Sequence, residues 1–202
     1  MEFHLVYQGA LPAAGQGGGK SRIHEKQELR KVFHKQLAML WNTHPFLFDL
    51  QAVKPGHVVT DDGPRTDSFQ LSERYARYGY RFLPLISQFF AVSCSLDILF
   101  LRRDGPGSLI KSGGDIDNRL KVLFDGLRMP QTCDEVCGQV PTAEENPFFC
   151  LLEDDNLISK VQVETNWLLT PPGPNEHIHD VQLVIRVRTV MQPSKRYEAA
   201  FQ

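Results

Sequence analysis

The sequence predicts an α+β fold: a small mixed or antiparallel β-sheet with helices packed on one face. Three observations carry this expectation. Residues Phe90–Phe100 alternate with period two, putting Phe90, Val92, Cys94, Leu96, Ile98 and Phe100 on one face of a strand. Two other stretches repeat apolar residues at helical spacing: Leu29, Val32, Phe33, Leu37, Leu40 and Trp41 in one, and Ile116, Leu120, Leu123, Phe124 and Leu127 in the other. The elements then follow one another as strand, helix, strand, helix, strand, strand, an order that suits an α+β domain.

In chain order, Phe3–Tyr7 alternates apolar and polar residues as a short strand does. Gly9 to Gly19 is rich in Gly, Ala and Pro and reads as a loop. Its end, Gly17-Gly18-Gly19-Lys20-Ser21, resembles the end of a phosphate-binding loop but lacks the first glycine at the required spacing. A helix begins at Ser21 and ends at His44-Pro45, because a residue before proline is pushed out of the helical region, and Lys26, Arg30, Lys31, His34 and Lys35 share the surface that its apolar stripe leaves. Asp61-Asp62-Gly63-Pro64 marks a turn. Arg74, Arg77 and Arg81, interleaved with Tyr75, Tyr78 and Tyr80, suit either stacking on nucleic-acid bases or an amphipathic segment on the protein's own surface, the latter being the commoner case. A helix spans Asp115 to Arg128, residues 129–153 read as a long loop, and Leu157–Leu168 and Val181–Val190 read as strands separated by Pro171-Pro172-Gly173-Pro174-Asn175. The whole chain, 1–202, is expected to form a single domain with insertions at 46–85 and 129–152 and a loose tail from Met191 to Gln202.

Composition narrows the function. Of 202 residues, 42% are hydrophobic and 23% charged, ordinary globular usage. A net charge of −2 excludes a uniformly basic, histone-like protein but leaves room for a local basic patch. No uncharged apolar run approaches the ~18 residues of a membrane span. Met1–Leu5 lacks the basic start and apolar core of a signal peptide. The expectation is a soluble, cytoplasmic protein with no membrane partner. Cys94, Cys133, Cys137 and Cys150 are too few and too unevenly spread for a disulfide framework. Cys133, Cys137 and Cys150 with His177 or His179 hold the ligand types for Zn²⁺, although their spacing is not a usual knuckle form. Ordinary reduced cysteines are the simpler account.

The segment richest in chemistry is Gly113-Gly114-Asp115-Ile116-Asp117-Asn118-Arg119-Leu120-Lys121. Asp115 stands where a helix N-cap belongs and Asp117 complements the helix dipole. Asp117 and Lys121, four apart, share a helix face and can form a plain ion pair. Capping and pairing do not account for Asn118 and Lys121 as a set. The alternative is a group of carboxylates and an ammonium around one metal and one phosphate. A second acidic cluster, Glu153-Asp154-Asp155-Asn156, precedes the strand from Leu157. Adjacent carboxylates repel one another unless solvent, a metal or a base offsets them. If the strand from Leu157 pairs beside the strand ending near Arg102, the two clusters meet. Hard oxygen ligands of this kind select Mg²⁺, with Mn²⁺ as a substitute.

These motifs, Asp115-Ile116-Asp117-Asn118-Arg119-Leu120-Lys121, then Leu123-Phe124-Asp125-Gly126-Leu127, then Asp154-Asp155-Asn156-Leu157-Ile158, resemble the RusA family of Holliday junction resolvases. The resemblance runs from about Phe90 to Leu168. It implies a RusA-like fold and a homodimeric, Mg²⁺-dependent endonuclease acting on branched DNA in recombination and repair. It further implies Asp115, Asp117 and Asp155 as metal-binding catalytic carboxylates, Asp154 as an adjacent supporting acid or further ligand, Lys121 as the catalytic lysine and Asn118 as a supporting residue. Candidates for contact with the DNA backbone are Lys20, Arg22, Lys26, Arg30, Lys31 and Lys35, the most basic stretch of the chain, though a solvated helix face is the ordinary reading of such a run. The segment 129–152 contains Asp134, Glu135, Glu144 and Glu145 and no Lys or Arg; beside the site it would repel DNA unless it folds away. Two other readings stand beside the nuclease: a non-catalytic DNA- or partner-binding protein on the same scaffold, and a metal-dependent enzyme acting on RNA or smaller phosphates.

Overall fold

A computed structural model describes residues 1–11, 19–51, 58–60, 63–65, 71–103, 116–174, 176–177 and 180–191. The chain is a mixed α+β structure, as the periodicities predict. Strand β1 (Glu2–Gly9) is followed by helix α1 (Gly19–Thr43) and a shorter helix α2 (Pro45–Gln51). Pro45 ends α1 and starts α2, since a proline's missing N–H is no loss in a first turn. Strands β2 (Val58–Thr60) and β3 (Gly63–Arg65) pair antiparallel, so Gly63 and Pro64 of the expected turn are strand residues, while Asp61 and Asp62 lie outside the described residues. Then come α3 (Leu71–Arg74), β4 (Ala76–Arg77), β5 (Tyr80–Ile86), β6 (Val92–Arg102), α4 (Ile116–Leu127), β7 (Phe148–Leu152), β8 (Ile158–Trp167) and β9 (Val181–Met191).

The main sheet has the order β1-β9-β6-β8, with β1/β9 and β9/β6 antiparallel and β6/β8 parallel. The strand after the second acidic cluster therefore does lie beside the strand ending at Arg102, with Arg102 opposite Trp167. One face of this sheet enters the core through Leu5 of β1, Leu96, Ile98 and Phe100 of β6, and Val181, Leu183, Ile185 and Val187 of β9. The opposite face carries ion pairs, Glu2 with Arg186 and Arg188, and Arg188 with Asp97. Helix α1 presents Leu29, Phe33, Leu37 and Trp41 to the core, and α4 presents Val122, Leu123, Gly126 and Leu127. The two helices meet at Gly126, where an added Cβ would come within 2.6 Å of the Leu29 side chain. A bulkier residue there would force them apart.

Two segments depart from the sequence reading. Residues 129–153 are not one loop: 3-10 turns at Cys133–Val136 and Ala143–Glu145 lead into β7, which is buried throughout. Strand β7 pairs in parallel with β5, likewise almost wholly buried, and the pair lies beneath α1. The segments read as insertions, 46–85 and 129–152, thus each supply a strand of the core. Parallel strands covered on both faces read as unbroken apolar runs, and such runs carry no period. His34 and Arg30, assigned from the sequence to the solvated side of α1, are buried, while Val32 of the expected stripe is exposed. No helix among the described residues is long and apolar enough to cross a membrane.

Candidate active site

Helix α4 presents the first acidic motif. Its buried residues fix its rotation, and the Arg119 guanidinium ties its first turns to the end of β1 by donating to the Leu11 carbonyl. This rotation leaves the Asp117 and Lys121 side chains 62% and 67% exposed, with Nζ 3.8 Å from Oδ2. So loose and exposed a pair adds little to stability. Asn118 lies beside them, half-buried. Asp115 lies outside the described residues.

The second motif forms the link from β7 to β8. The Glu153 amide donates to the Ile86 carbonyl at 2.9 Å, continuing the β5–β7 ladder. The Glu153 carboxylate accepts from the Gln88 amide at 2.9 Å and from the Tyr75 hydroxyl at 3.3 Å. Asp154 caps the 3-10 turn Asp155–Leu157: its backbone is extended and its Oδ1 accepts from the Asn156 amide at 3.0 Å. Its other oxygen accepts from Gln131 Nε2. Asp155 is exposed, and its side chain forms no hydrogen bond or ion pair with any described residue. The turn packs against both α4 and β6. The adjacent carboxylates thus have different situations. Glu153 and Asp154 are held by donors of the chain, and Asp155 is left to solvent. Asp154, expected as a supporting acid or ligand, has both oxygens engaged in positioning the turn.

The basic face of α1 is largely taken up by the chain's own acids. Lys26 pairs with Asp125 at 2.6 Å, and Lys31 lies 3.6 Å from Glu28 and 3.9 Å from Glu145. Arg30, expected on the DNA face, is instead 1% exposed. It donates to the carbonyls of Arg128 and Asp125 at 2.9 and 2.8 Å, to Gln27, and to Glu135 at 3.2 Å. Burial lowers the proton affinity of this guanidinium, and the carboxylates of Glu135 and Asp125 oppose the effect. Glu135 also bonds Arg128, which in turn pairs with Asp125. The acidic segment therefore folds onto basic residues of the chain itself. Lys35 remains exposed; the side chains of Lys20 and Arg22 lie outside the described ones.

Cys133 and Cys137 are exposed, whereas Cys94 and Cys150 are buried and all four are free thiols. His177 is described and His179 is not. Among the described residues, no three His, Cys, Asp or Glu side chains converge as a metal-holding group. Of the three carboxylates singled out, Asp117 and Asp155 are described. Both are oxygen donors facing solvent, a set that suits a cation keeping most of its waters. Sequence reasoning missed Gln131 and gave Glu153, a member of the second acidic cluster, no role of its own; both fix the second acidic turn. Their role arises from long-range closure, Gln131 to Asp154 and Glu153 to Gln88 and Tyr75, for which local spacing gives no signal. Comparison with protein-family models, curated proteins and solved structures gives no match.

Proposed function

We propose that the chain is a divalent-metal-dependent endonuclease, RusA-like, that hydrolyses phosphodiesters in branched DNA. The observation that carries the reading is the packing of α4, the helix that bears the first acidic motif, against the turn Asp155–Leu157 of the second, each motif with an exposed carboxylate. Asp117 and Asp155, with Asp115 from the residue preceding α4, would hold Mg²⁺ or Mn²⁺. The ion would polarise a phosphodiester and lower the pKa of its bound water.

The side chains divide the remaining work. Lys121 stands one turn beyond Asp117, and its ammonium is free to swing from that carboxylate to a phosphate oxygen, where it offsets the charge developing there. Asp154, held by Gln131 and by the Asn156 amide, keeps the turn in the form that turns Asp155 outward. Glu153 anchors the start of the turn to the end of β5. Two such chains in a homodimer would supply the two centres that paired nicks in a four-way junction require.

A second reading, a non-catalytic DNA- or partner-binding protein on this scaffold, draws support in its partner-binding form from Lys26, Arg30 and Lys31, whose charges are already matched within the chain and so are less available to a phosphate backbone. One experiment separates the two. A labelled four-way DNA junction and a matched linear duplex are incubated with the protein in Mg²⁺ or in EDTA, beside Asp117→Asn. The expected result is nicking confined to the junction, dependent on Mg²⁺ and lost in a variant that melts like the wild type. Binding without cleavage supports the second reading. Full cleavage by Asp117→Asn removes that residue from the mechanism.

A further inference from the structure

We propose that a cavity beside the second acidic turn is a subsite for a backbone phosphodiester of the nucleic-acid strand, held by Arg74 and Arg77. This assignment rests on the proposed action on DNA. The cavity has a volume of about 230 Å³, and Arg74, Tyr75, Arg77, Gln88, Gln131 and Asp154 are among its lining residues. It lies where the parallel strands β5 and β7 end, the edge at which parallel sheets commonly receive ligands.

The three arginines of this region differ in what they already bind. Arg81 pairs with Glu73 at 2.9 Å. Arg74 and Arg77 form no ion pair with any described carboxylate. Aromatic rings support them instead: the Arg74 guanidinium lies 4.6 Å from the centre of the Phe89 ring, and that of Arg77 lies 5.9 and 6.0 Å from those of Tyr78 and Phe82. Contact with a ring face fixes the plane of a guanidinium and leaves its N–H edge available, the arrangement that suits phosphate oxygens. In addition, Arg77 Nε is buried and has no hydrogen-bond partner among the described residues. A buried donor without an acceptor is costly, and an anion entering the cavity would supply one.

The lining carboxylates define the anion. Glu153 and Asp154 balance the two guanidinium charges, so a second negative charge on the ligand would meet repulsion. Glu153 Oε2 and both Asp154 oxygens already accept from donors of the chain, whereas Arg74 and Arg77 are paired with no described carboxylate. The balance favours a singly charged phosphodiester over a terminal phosphate. The turn that forms this wall continues directly into Asp155, so one strand can occupy the cavity and pass the candidate centre.

The test uses the full chain in EDTA and a fluorescein-labelled four-way DNA junction, with Kd measured across a series of salt concentrations. Arg74→Gln and Arg77→Gln should each raise Kd and lower the slope of log affinity against log salt by about 1, the loss of one phosphate contact. Arg81→Gln should leave the slope as in the wild type. Because Arg77 also packs on Phe82, Arg77→Lys is measured beside it: it should keep the slope yet bind more weakly than wild type, through loss of the planar fork. Slopes unchanged in both glutamine variants, or no binding by the wild type, overturn the assignment. Inorganic phosphate competing as well as a dinucleotide phosphodiester overturns the preference for the diester. Cleavage in Mg²⁺ is read separately. Arginine-dependent binding without cleavage leaves the subsite standing and removes the nuclease reading; cleavage with silent arginine variants does the reverse.

Discussion

Replacing Glu135 by Gln removes one negative charge from a buried cluster and almost no volume. In the wild type this carboxylate lies 3.2 Å from Arg30 and 3.3 Å from Arg128, with its side chain 13% exposed and that of Arg30 1% exposed. Neither arginine can relieve the loss by giving up a proton near neutral pH, so two guanidinium groups would be left facing each other with Asp125 as their nearest acid. Removing one partner of a buried pair costs about 3–5 kcal/mol, and the partial access of Glu135 to water argues for the lower end, about 3 kcal/mol. For a chain of this size that corresponds to a fall in Tm of about 6–12 °C. Urea unfolding and calorimetry measure both. The exposed neighbour Asp134, replaced by Asn, should change stability by less than about 0.5 kcal/mol. The double variant Arg30→Met/Glu135→Gln should lose less than the sum of the two single losses, because the charges that need each other are removed together. A Glu135→Gln protein as stable as the wild type would refute the claim that this acidic segment is held in place by Arg30 of α1 and by Arg128, which follows α4.

Other consequences can be checked independently. His34 Nδ1 accepts from the Phe149 amide at 2.9 Å, and burial holds the imidazole below its ordinary value of 6.5. The unfolded chain therefore binds the proton first as pH falls through that value. Stability should be constant above it and decline below it, and His34→Asn should lose that decline; a wild type equally stable at pH 5 and 7.5 would contradict the assignment. Burial pushes the thiols of Cys94 and Cys150 up to about 12, so iodoacetamide at pH 8 should label Cys133 and Cys137 in the native protein and all four in urea. Peptide mapping that finds Cys150 modified in the native state would be the contrary result. Gln131→Leu frees one oxygen of Asp154 without touching Asp117, Lys121 or Asp155. The expected outcome is a drop in Mg²⁺-dependent cleavage that raises the Mg²⁺ concentration needed, with a Tm change of less than about 3 °C; an unaltered Mg²⁺ dependence would make Gln131 a bystander.

The legible part of the fold is the part with a period. Helix α4 buries one face and exposes Asp117 and Lys121 on another, and in strand β6 large apolar residues alternate with Ser93, Ser95 and Asp97, so Cys94-Leu96-Ile98-Phe100 and Leu123-Leu127 could be placed from spacing alone. Strands β5 and β7 bury both faces, and Tyr80–Ile86 and Phe148–Leu152 read as formless apolar runs; Pro84 within β5 even argues against a strand. Arg30 and His34 mislead for a related reason. A basic residue on a helix is ordinarily solvent-facing, and only the arrival of Glu135 and of the Glu144 and Phe149 backbone from more than a hundred residues away makes burial tolerable. At the candidate site, Asp117, Lys121 and Asp155 stand exposed, but the distinction between Asp154 and Asp155 depends on Gln131. Nothing in the run Glu153-Asp154-Asp155 tells which acid caps, which anchors and which is free.

That distinction bears on how a chain with net charge −2 could work on a polyanion. Acids are tolerable near a phosphate backbone when each is either matched or needed. Glu135 and Glu145 are matched by Arg30, Arg128 and Lys31. Glu153 and Asp154 are held by amide, hydroxyl and carboxamide donors. Asp117 and Asp155 stay exposed, Asp117 with only a loose partner in Lys121, where a divalent cation would reverse their effect on an approaching phosphate. On the proposed function, DNA affinity would depend on the cation itself: without it the exposed carboxylates would oppose binding, and with it they would become the means of binding. Junction affinity should therefore be higher in Ca²⁺, a hard cation with the same preference for oxygen ligands, than in EDTA. In Asp117→Asn that gain should shrink, while affinity in EDTA should stay the same or improve, because one repelling charge is gone.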